Sequence, residues 1–316
     1  MKKILIARPL PKEVTSTLTG CEVTVREETA PLSADEMRAA LRDYDGVMPT
    51  LGDVFSAEVF ADVPVPRCKI LANFGVGYNH IDAAAARAAG VEVTNTPGAV
   101  TDATADVAMT LMLMSARRAG EGERLVRSGA WEGWHPTQML GLHLTGKRVG
   151  IVGMGRIGQA IARRCHYGFE MQVSYFNRSA KELDFSATRV ESLTALAEAV
   201  DVLVVALPGG GATRHLIDET VLGAMQPHAH LINIARGDVV EEAALIAALQ
   251  AGRIGGAGLD VYEFEPKVPQ ALRDLDNAVL LPHLGTAAHE VRVDMGLMAV
   301  ANLQAFIDGS TPPNRV

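Results

Sequence analysis

The stretch Lys147-Arg148-Val149-Gly150-Ile151-Val152-Gly153-Met154-Gly155-Arg156-Ile157-Gly158-Gln159-Ala160-Ile161-Ala162 decides how the chain is read. Lys147 to Val152 is a short apolar run with β-branched residues and predicts a buried strand; from Gln159 onward the composition is that of a helix. The turn between them, Gly153-Met154-Gly155-Arg156-Ile157-Gly158, has the GxGxxG spacing, which means little by itself but much between a strand and a helix. Gly153 permits the tight turn, Gly155 lets backbone N–H groups approach a pyrophosphate, and Gly158 allows close packing of helix on strand. The helix N-terminus adds partial positive charge. Glycines kept only for packing are the bland alternative, and the flanking elements weigh against it.

Outward from this turn the alternation continues. Met171 to Phe176, Val202 to Ala206, His230 to Ala235, Gly256 to Val261 and Ala278 to Leu281 bring the predicted strands of this region to six, with helical patterns in most gaps. Asp238 followed by Glu241 predicts a capping box for a helix over Val239 to Gln250 that stops at Gly252. Upstream, Lys3 to Ala7, Gly46 to Met48, Lys69 to Ala72 and Val91 to Thr94 predict four strands in the first 98 residues, with an Ala-rich helix over Ile81 to Ala89 stopped by Gly90. Strands separated by helices pair in parallel through right-handed crossovers. A buried helix is expected from Thr101 to about Arg118, no clear period over Ser128 to Leu144, and a final amphipathic helix from about Ala287 to Ile307. The expected fold class is α/β, with two doubly wound parallel-sheet domains. If the last helix covers the first strands, the first domain is discontinuous, residues 1–98 and 287–316 around a second domain at 99–286.

The composition narrows the function. With 48% apolar and 21% charged residues the chain has ordinary globular composition. Lys plus Arg number 29 and Asp plus Glu 37, a formal charge of −8. With no basic run, that balance argues against a nucleic-acid or anionic-membrane partner. Ile4 to Ala7 is too short for a signal-peptide core, and no run approaches the roughly 20 apolar residues that span a bilayer. Cys21, Cys68 and Cys165 form no CxxC pair, which fits a reducing, cytoplasmic setting.

Beyond the second strand of the glycine-turn region, where an acidic residue would bind the adenosine ribose of NAD, the chain has Asn177-Arg178-Ser179. No carboxylate there repels a 2′-phosphate, and Arg178 can bond to one. NADP(H) is therefore the expected cofactor, with NAD(H) second. Arg236, Glu265 and His283 each follow a predicted strand, so a parallel sheet places all three at the carboxyl edge that carries Gly153. That set suits hydride transfer to a carbonyl. His283 would supply the proton, Glu265 would orient the imidazole, and Arg236 would hold a substrate carboxylate. His228, His230 and the pair Cys165-His166 lack zinc spacing, so no metal is expected. His80, His143 and His215 show no partner and read as structural; Met109 to Met114 reads as core or dimer packing.

The segments Phe74 to Asp82, Asn95 to Gly98, Gly150 to Gly158, Asn233 to Gly237, Leu259 to Pro266 and Pro282 to Gly285 resemble, in order, the D-isomer-specific 2-hydroxyacid dehydrogenase family, and within it the glyoxylate/hydroxypyruvate reductase branch. The resemblance implies a Rossmann nucleotide-binding domain, a flavodoxin-like substrate domain, and reduction of small 2-oxo acids to D-2-hydroxy acids. It also implies Arg236, Glu265 and His283 as the catalytic triad, and substrate contacts from Leu51, Val76 and Gly77 beside Arg236 and His283. Around the cofactor it implies Gly153 to Gly158, Asn177 to Ser179, Leu207, Pro208, Thr213, Thr101, Ile234, Ala235, Asp260 and Gly285, with Asp260 facing the nicotinamide carboxamide. Family members are typically homodimers with a crossing central arm, which gives Trp131 to Pro136 a role. Gly209-Gly210-Gly211 departs from the Thr-containing turn of many relatives. Reduction of bulkier 2-oxo acids such as aryl pyruvates, and a nucleotide-sensing binding protein with little turnover, are the rival readings.

Overall fold

The computed structural model describes all 316 residues and divides into two compact units, Met1–Val100 with Ala287–Val316, and Thr101–Thr286. The first unit holds five strands: β1 (Lys2–Ile6), β2 (Cys21–Val25), β3 (Gly46–Met48), β4 (Ile70–Ala72) and β5 (Glu92–Thr94). All pair in parallel in the order β2-β1-β3-β4-β5, the flavodoxin-like winding. Four strands were expected here, and the addition is β2. It lies at the sheet edge with every residue at least partly exposed, so Cys-Glu-Val-Thr-Val lacks the continuous apolar signal of the buried β3 and β4. The C-terminal helix His289–Ile307 packs on β4, with Gly296 so close that a Cβ there would lie 2.4 Å from Val14. The amphipathic reading of this helix holds only in part, since Leu297 remains exposed opposite Met295, Ala299 and Leu303.

The second unit holds seven strands, where six were expected: β6 (Arg148–Val152), β7 (Gln172–Phe176), β8 (Ala187–Arg189), β9 (Val202–Val205), β10 (His230–Asn233), β11 (Gly256–Leu259) and β12 (Ala278–Leu280). Their order is β12-β11-β10-β9-β6-β7-β8, again wholly parallel. The addition, β8, is once more an exposed edge strand. The winding reverses between β6 and β9, the switch point at which open sheets of this kind bind ligands. The helix Thr101–Ala116 covers β10, β11 and β12 with Ala105, Ala108, Leu111 and Met112, and Gly258 of β11 makes room for Leu111. Met109 and Met112 are core residues. By contrast, the helix Ala119–Arg127 buries none of its side chains.

The capping box expected at Asp238 and Glu241 does not form. Gly237–Val239 is a 3-10 turn, and the helix starts later, over Glu242–Gln250, with Glu241 as an N-cap that makes no side-chain bond. A true capping box occurs at Ser33 and Glu36, opening Ala34–Asp43. No helix is long and apolar enough to cross a membrane. Cys68 and Cys165 are pushed up to about 12 by burial, so both thiols stay protonated.

At the amino edge of the larger sheet, Asp201 takes a bidentate pair from Arg148 at 2.7 and 3.1 Å and a bond from His228 at 2.8 Å. His230 is buried beside them against the Ser115 hydroxyl, 2.8 Å from Nδ1. Burial, aided by the charge of His228, pushes His230 down to about 4 from an ordinary 6.5. It stays neutral in the folded chain while the unfolded chain protonates it, so its contribution is complete above pH 6.5 and is lost as pH falls toward 4. Replacing it with Gln, which keeps a polar partner for Ser115, is expected to remove about 3 kcal/mol of acid-dependent destabilisation. Tm measured from pH 7.5 down to pH 4.5 should therefore fall less steeply in His230→Gln, and parallel curves would count against this origin.

Candidate active site

One part of the candidate site grows from the turn after β6. Gly153 has φ +100°, and a Cβ there would lie 2.7 Å from the Ala206 carbonyl, so the turn presses against the end of β9. Gly158 is tighter still, since its Cβ would fall 2.0 Å from the Gly153 carbonyl oxygen. At Gly155 the opposite holds: a Cβ would meet nothing within 4 Å. No side chain caps the helix Arg156–Phe169, which Gly155 opens. An open approach to uncapped N–H groups at a helix N-terminus fits a pyrophosphate. Met154 is buried, and Arg156 is exposed.

Asn177 ties this turn to the neighbouring strand end. Its Oδ1 accepts from the Met154 N–H at 3.2 Å, and its Nδ2 donates to the Ser179 carbonyl at 2.8 Å. Arg178 and Ser179 are exposed. Arg189 of β8 donates to the carbonyls of Asn177 and Arg178, at 3.2 and 3.4 Å, and so holds the loop from beneath. After β9, the Thr213 hydroxyl donates back to the Pro208 and Gly210 carbonyls, closing the Leu207–Thr213 loop on itself.

The three candidate catalytic residues and their supports arise at three further strand ends. Past β10, Asn233 clamps the chain by accepting from the Ala235 N–H and donating to the Arg236 carbonyl, each at 3.0 Å. Ile234 and Ala235 are buried. The Arg236 guanidinium is pushed down by burial, with the Glu265 and Asp238 carboxylates pulling the other way. Beyond β11, Glu265 accepts from the Tyr262 N–H at 3.0 Å and faces Nδ1 of His283 at 2.9 Å. Burial pushes the Glu265 carboxyl up, but the His283 bond and charge, the Tyr262 N–H and Arg236 together outweigh it, so it lies below its ordinary value. An ionised carboxylate only accepts, so Nδ1 carries a hydrogen and Nε2 is the nitrogen left for chemistry. His283 itself has φ +56°.

Asp260 explains how that backbone is held. It is buried, and its two oxygens accept from the N–H groups of Leu284 and Gly285 at 2.6 and 2.8 Å, while the His283 N–H donates to its carbonyl at 3.0 Å. Asp260 thereby fastens the His283 loop. Burial raises its pKa, and the two N–H groups oppose the rise. Thr104, on the helix that Thr101 opens, donates to the Gly285 carbonyl at 3.1 Å.

In the first unit, side-chain amides hold the carbonyls of the loop after β4. Those of Gly75 and Gly77 accept from Asn73 Nδ2, and that of Val76 from Asn95 Nδ2. Each peptide is planar and trans, so the Val76 N–H points away from the Asn73 amide and the Gly77 N–H away from that of Asn95. Leu51 is exposed on a turn anchored by Asp53, whose buried carboxylate accepts from Thr50, Leu32 and Arg8. His80 and His215, read as lacking partners, have them: His80 bonds Asn73 at 3.0 Å and His215 bonds Glu263 at 2.7 Å. Asn73, Asp53, Arg189 and Glu263 are supports that the sequence pattern did not single out; a polar residue one to five positions past a buried strand is the signal that marks the first two.

A sheet edge so furnished has the parts of a dehydrogenase that works with a dinucleotide. Residues 109–285 match the family model for the D-isomer specific 2-hydroxyacid dehydrogenase NAD binding domain. The glyoxylate reductase of Thermococcus onnurineus is 43% identical, over 99% of this chain and 95% of that one. The glycerate dehydrogenase of Hyphomicrobium methylovorum is 36% identical, over 98% and 97%. Among solved structures, the NADPH-dependent glyoxylate/hydroxypyruvate reductase of Sinorhizobium meliloti, in complex with NADP and malonate, superposes with a TM-score of 0.88 at 37% identity, covering 100% of this chain and 96% of that one. The chain belongs to the D-isomer specific 2-hydroxyacid dehydrogenase family. It is an NAD(P)-dependent enzyme of that family.

The Asp260 clamp gives a direct test. In Asp260→Asn one acceptor becomes an NH2 group facing a backbone N–H, leaving a buried donor unpaired at a cost of about 1–3 kcal/mol. Turnover is expected to fall by roughly 10- to 100-fold as the His283 loop loosens. A melt and steady-state rates on the same preparation check both effects, and an unaltered variant would remove Asp260 from this role.

Proposed function

We propose that the protein is an NADPH-preferring reductase of small 2-oxo acids, glyoxylate and hydroxypyruvate foremost, giving D-2-hydroxy acids. The observation that carries this reading is the Glu265–His283 couple at 2.9 Å, with the half-buried Arg236 close enough for its charge to act on Glu265. Relatives named for glyoxylate reduction, similar over nearly their whole length, support the substrate class.

The reduced nicotinamide, when bound, supplies the hydride. His283 delivers the proton from Nε2 to the carbonyl oxygen, while Glu265 holds Nδ1 and stabilises the charged ring. Arg236 binds the substrate carboxylate and polarises the adjacent carbonyl; its partial burial strengthens that attraction relative to water. To Leu51, Val76 and Gly77 we assign contacts with the substrate, the two N–H groups forming a small anion nest. Gly153 to Gly158, Thr101, Leu207, Pro208, Thr213, Ile234, Ala235, Asp260 and Gly285 are assigned to the cofactor surroundings. Arg178, with Asn177 and Ser179, is assigned to the 2′-phosphate, since none of these three residues is a carboxylate that would repel it. The stretch Trp131 to Pro136 is assigned to a homodimer arm: Trp131 and Trp134 are exposed, and the helix Ala119–Arg127 before it has no fully buried residue.

Three substitutions test the assignments. His283→Ala should lower kcat by about 10²- to 10⁴-fold. Arg236→Ala should act mainly on KM for glyoxylate, with a smaller loss in kcat. Arg178→Ala should reduce the NADPH over NADH ratio of kcat/KM by about 10- to 100-fold, as expected for a lost charge-assisted bond. Steady-state kinetics with both cofactors and a panel of 2-oxo acids, aryl pyruvates included, read all three. Near-normal turnover in His283→Ala would remove it as the acid, and an unchanged cofactor ratio would remove Arg178 from the phosphate.

A further inference from the structure

Glu263 stands two residues before Glu265, and only 7% of its side chain is exposed. Its Oε1 accepts from Nε2 of His215 at 2.7 Å and from Nη2 of the more exposed Arg214 at 3.1 Å. A carboxylate this buried needs such donors to offset the loss of water. Both donors come from the loop that follows β9, just beyond Leu207, Pro208 and Thr213.

The backbone of the same loop is bonded to the strand end that carries Arg236. The His215 N–H donates to the Asp238 carbonyl at 2.8 Å, and the Ile217 N–H to that of Val239 at 3.0 Å. Gly209 lies against Arg236, so that a Cβ there would sit 2.7 Å from the arginine Cγ. Gly237 has no room for a Cβ, which would fall 1.8 Å from the Tyr262 carbonyl carbon. Three loops therefore interlock: 207–217, 236–240 and 260–266. His215 touches both of the other two, through its main chain to one and through its ring to the other. It adopts φ +51°, a conformation uncommon for a side-chain-bearing residue and one that aims the backbone N–H and the ring at those separate partners.

We propose that His215, through its bond to Glu263, is a positioning residue for the reduction: it couples the seating of the nucleotide-side loop 207–213 to the placement of Arg236 and Glu265. The proposal rests on the functional reading above for the roles of that loop and of Arg236 and Glu265. The mechanical link itself needs only the geometry just described. Neither His215 nor Glu263 has a step in the chemistry, so their effect must pass through neighbours.

The test compares His215→Leu, His215→Gln, Glu263→Gln and the double variant His215→Leu/Glu263→Gln. Each is measured for NADPH Kd by fluorescence titration without substrate, for kcat and KM with glyoxylate, and for Tm. His215→Leu is expected to weaken NADPH binding at least fivefold and lower kcat about tenfold. His215→Gln, whose amide keeps an N–H for Glu263, should recover most of both losses. The double variant should be little worse than the poorer single variant, because both substitutions act on the one His215–Glu263 contact, the first by removing its donor and the second by removing the charge of its acceptor. A lowered Tm with unchanged kcat and NADPH Kd would reduce the bond to scaffolding and overturn the proposal. Additive losses, or a His215→Gln as impaired as His215→Leu, would overturn it equally. Should His215→Leu fail to fold, His215→Asn, whose amide is too short for the span, takes its place under the same criteria. If the wild-type chain does not reduce glyoxylate, the substrate reading fails; the NADPH titration then decides the coupling alone, a Kd shift in His215→Leu that His215→Gln restores sustaining it and an unshifted Kd in His215→Leu rejecting it.

Discussion

Parallel pairing is the constraint on which the rest of the molecule depends. When every strand of a sheet runs the same way, each must be followed by a crossover, and every loop at one edge follows a strand's carboxyl end. In the larger unit this gathers Gly153 after β6, Asn177 after β7, Leu207 after β9, Arg236 after β10, Asp260 and Glu265 after β11, and His283 after β12. No two of these loops are adjacent through a hairpin, so the chain has to return through the opposite edge before adding each group. The result is a reactive set scattered over 130 residues of sequence along a single edge of one rigid sheet.

A rigid sheet does not by itself make rigid loops, and here the loops are held by buried polar side chains that bond to backbone. Asn233 braces both sides of the turn into Arg236, Asp260 fastens the two amides after His283, and Asn73 gathers the carbonyls of Gly75 and Gly77. Each of these would be costly to bury alone. Each is satisfied by main-chain groups of the loop it supports, so the desolvation cost is offset only when that loop adopts this conformation. Stability and the placement of these loops are thereby the same interaction, and a residue such as His283 is held at positive φ although it carries a side chain.

How much of this was legible in the sequence follows from what burial does to composition. The central strands β3, β4, β9 and β11 are buried on both faces and read as unbroken runs of apolar and small residues. The edge strands β2 and β8 face water, and their mixed residues leave no such mark. Caps were harder: Asp238 and Glu241 have the right spacing, but the chain at Gly237 is pressed beneath the Tyr262 carbonyl and takes a 3-10 turn, which delays the helix to Glu242. Arg236, Glu265 and His283 could be placed on one edge because topology needs only strand order. The partner of His215 could not, because Glu263 is 48 residues away and arrives from a strand two positions across the sheet.

The local electrostatics finally account for an apparent mismatch between a chain of charge −8 and an anionic substrate class. Net charge governs long-range encounter and is screened within about 10 Å at moderate salt, whereas a small carboxylate at the site responds to the few groups beside it. Arg236 is partly stripped of water yet flanked by Glu265 and Asp238, and Glu265 is in turn drawn down by His283 and Arg236. The burial that strips Arg236 of water also strengthens its attraction for an anion brought beside it, because an ion pair gains more where water is excluded, so one half-buried guanidinium counts for more at this edge than a distant surface excess of carboxylates.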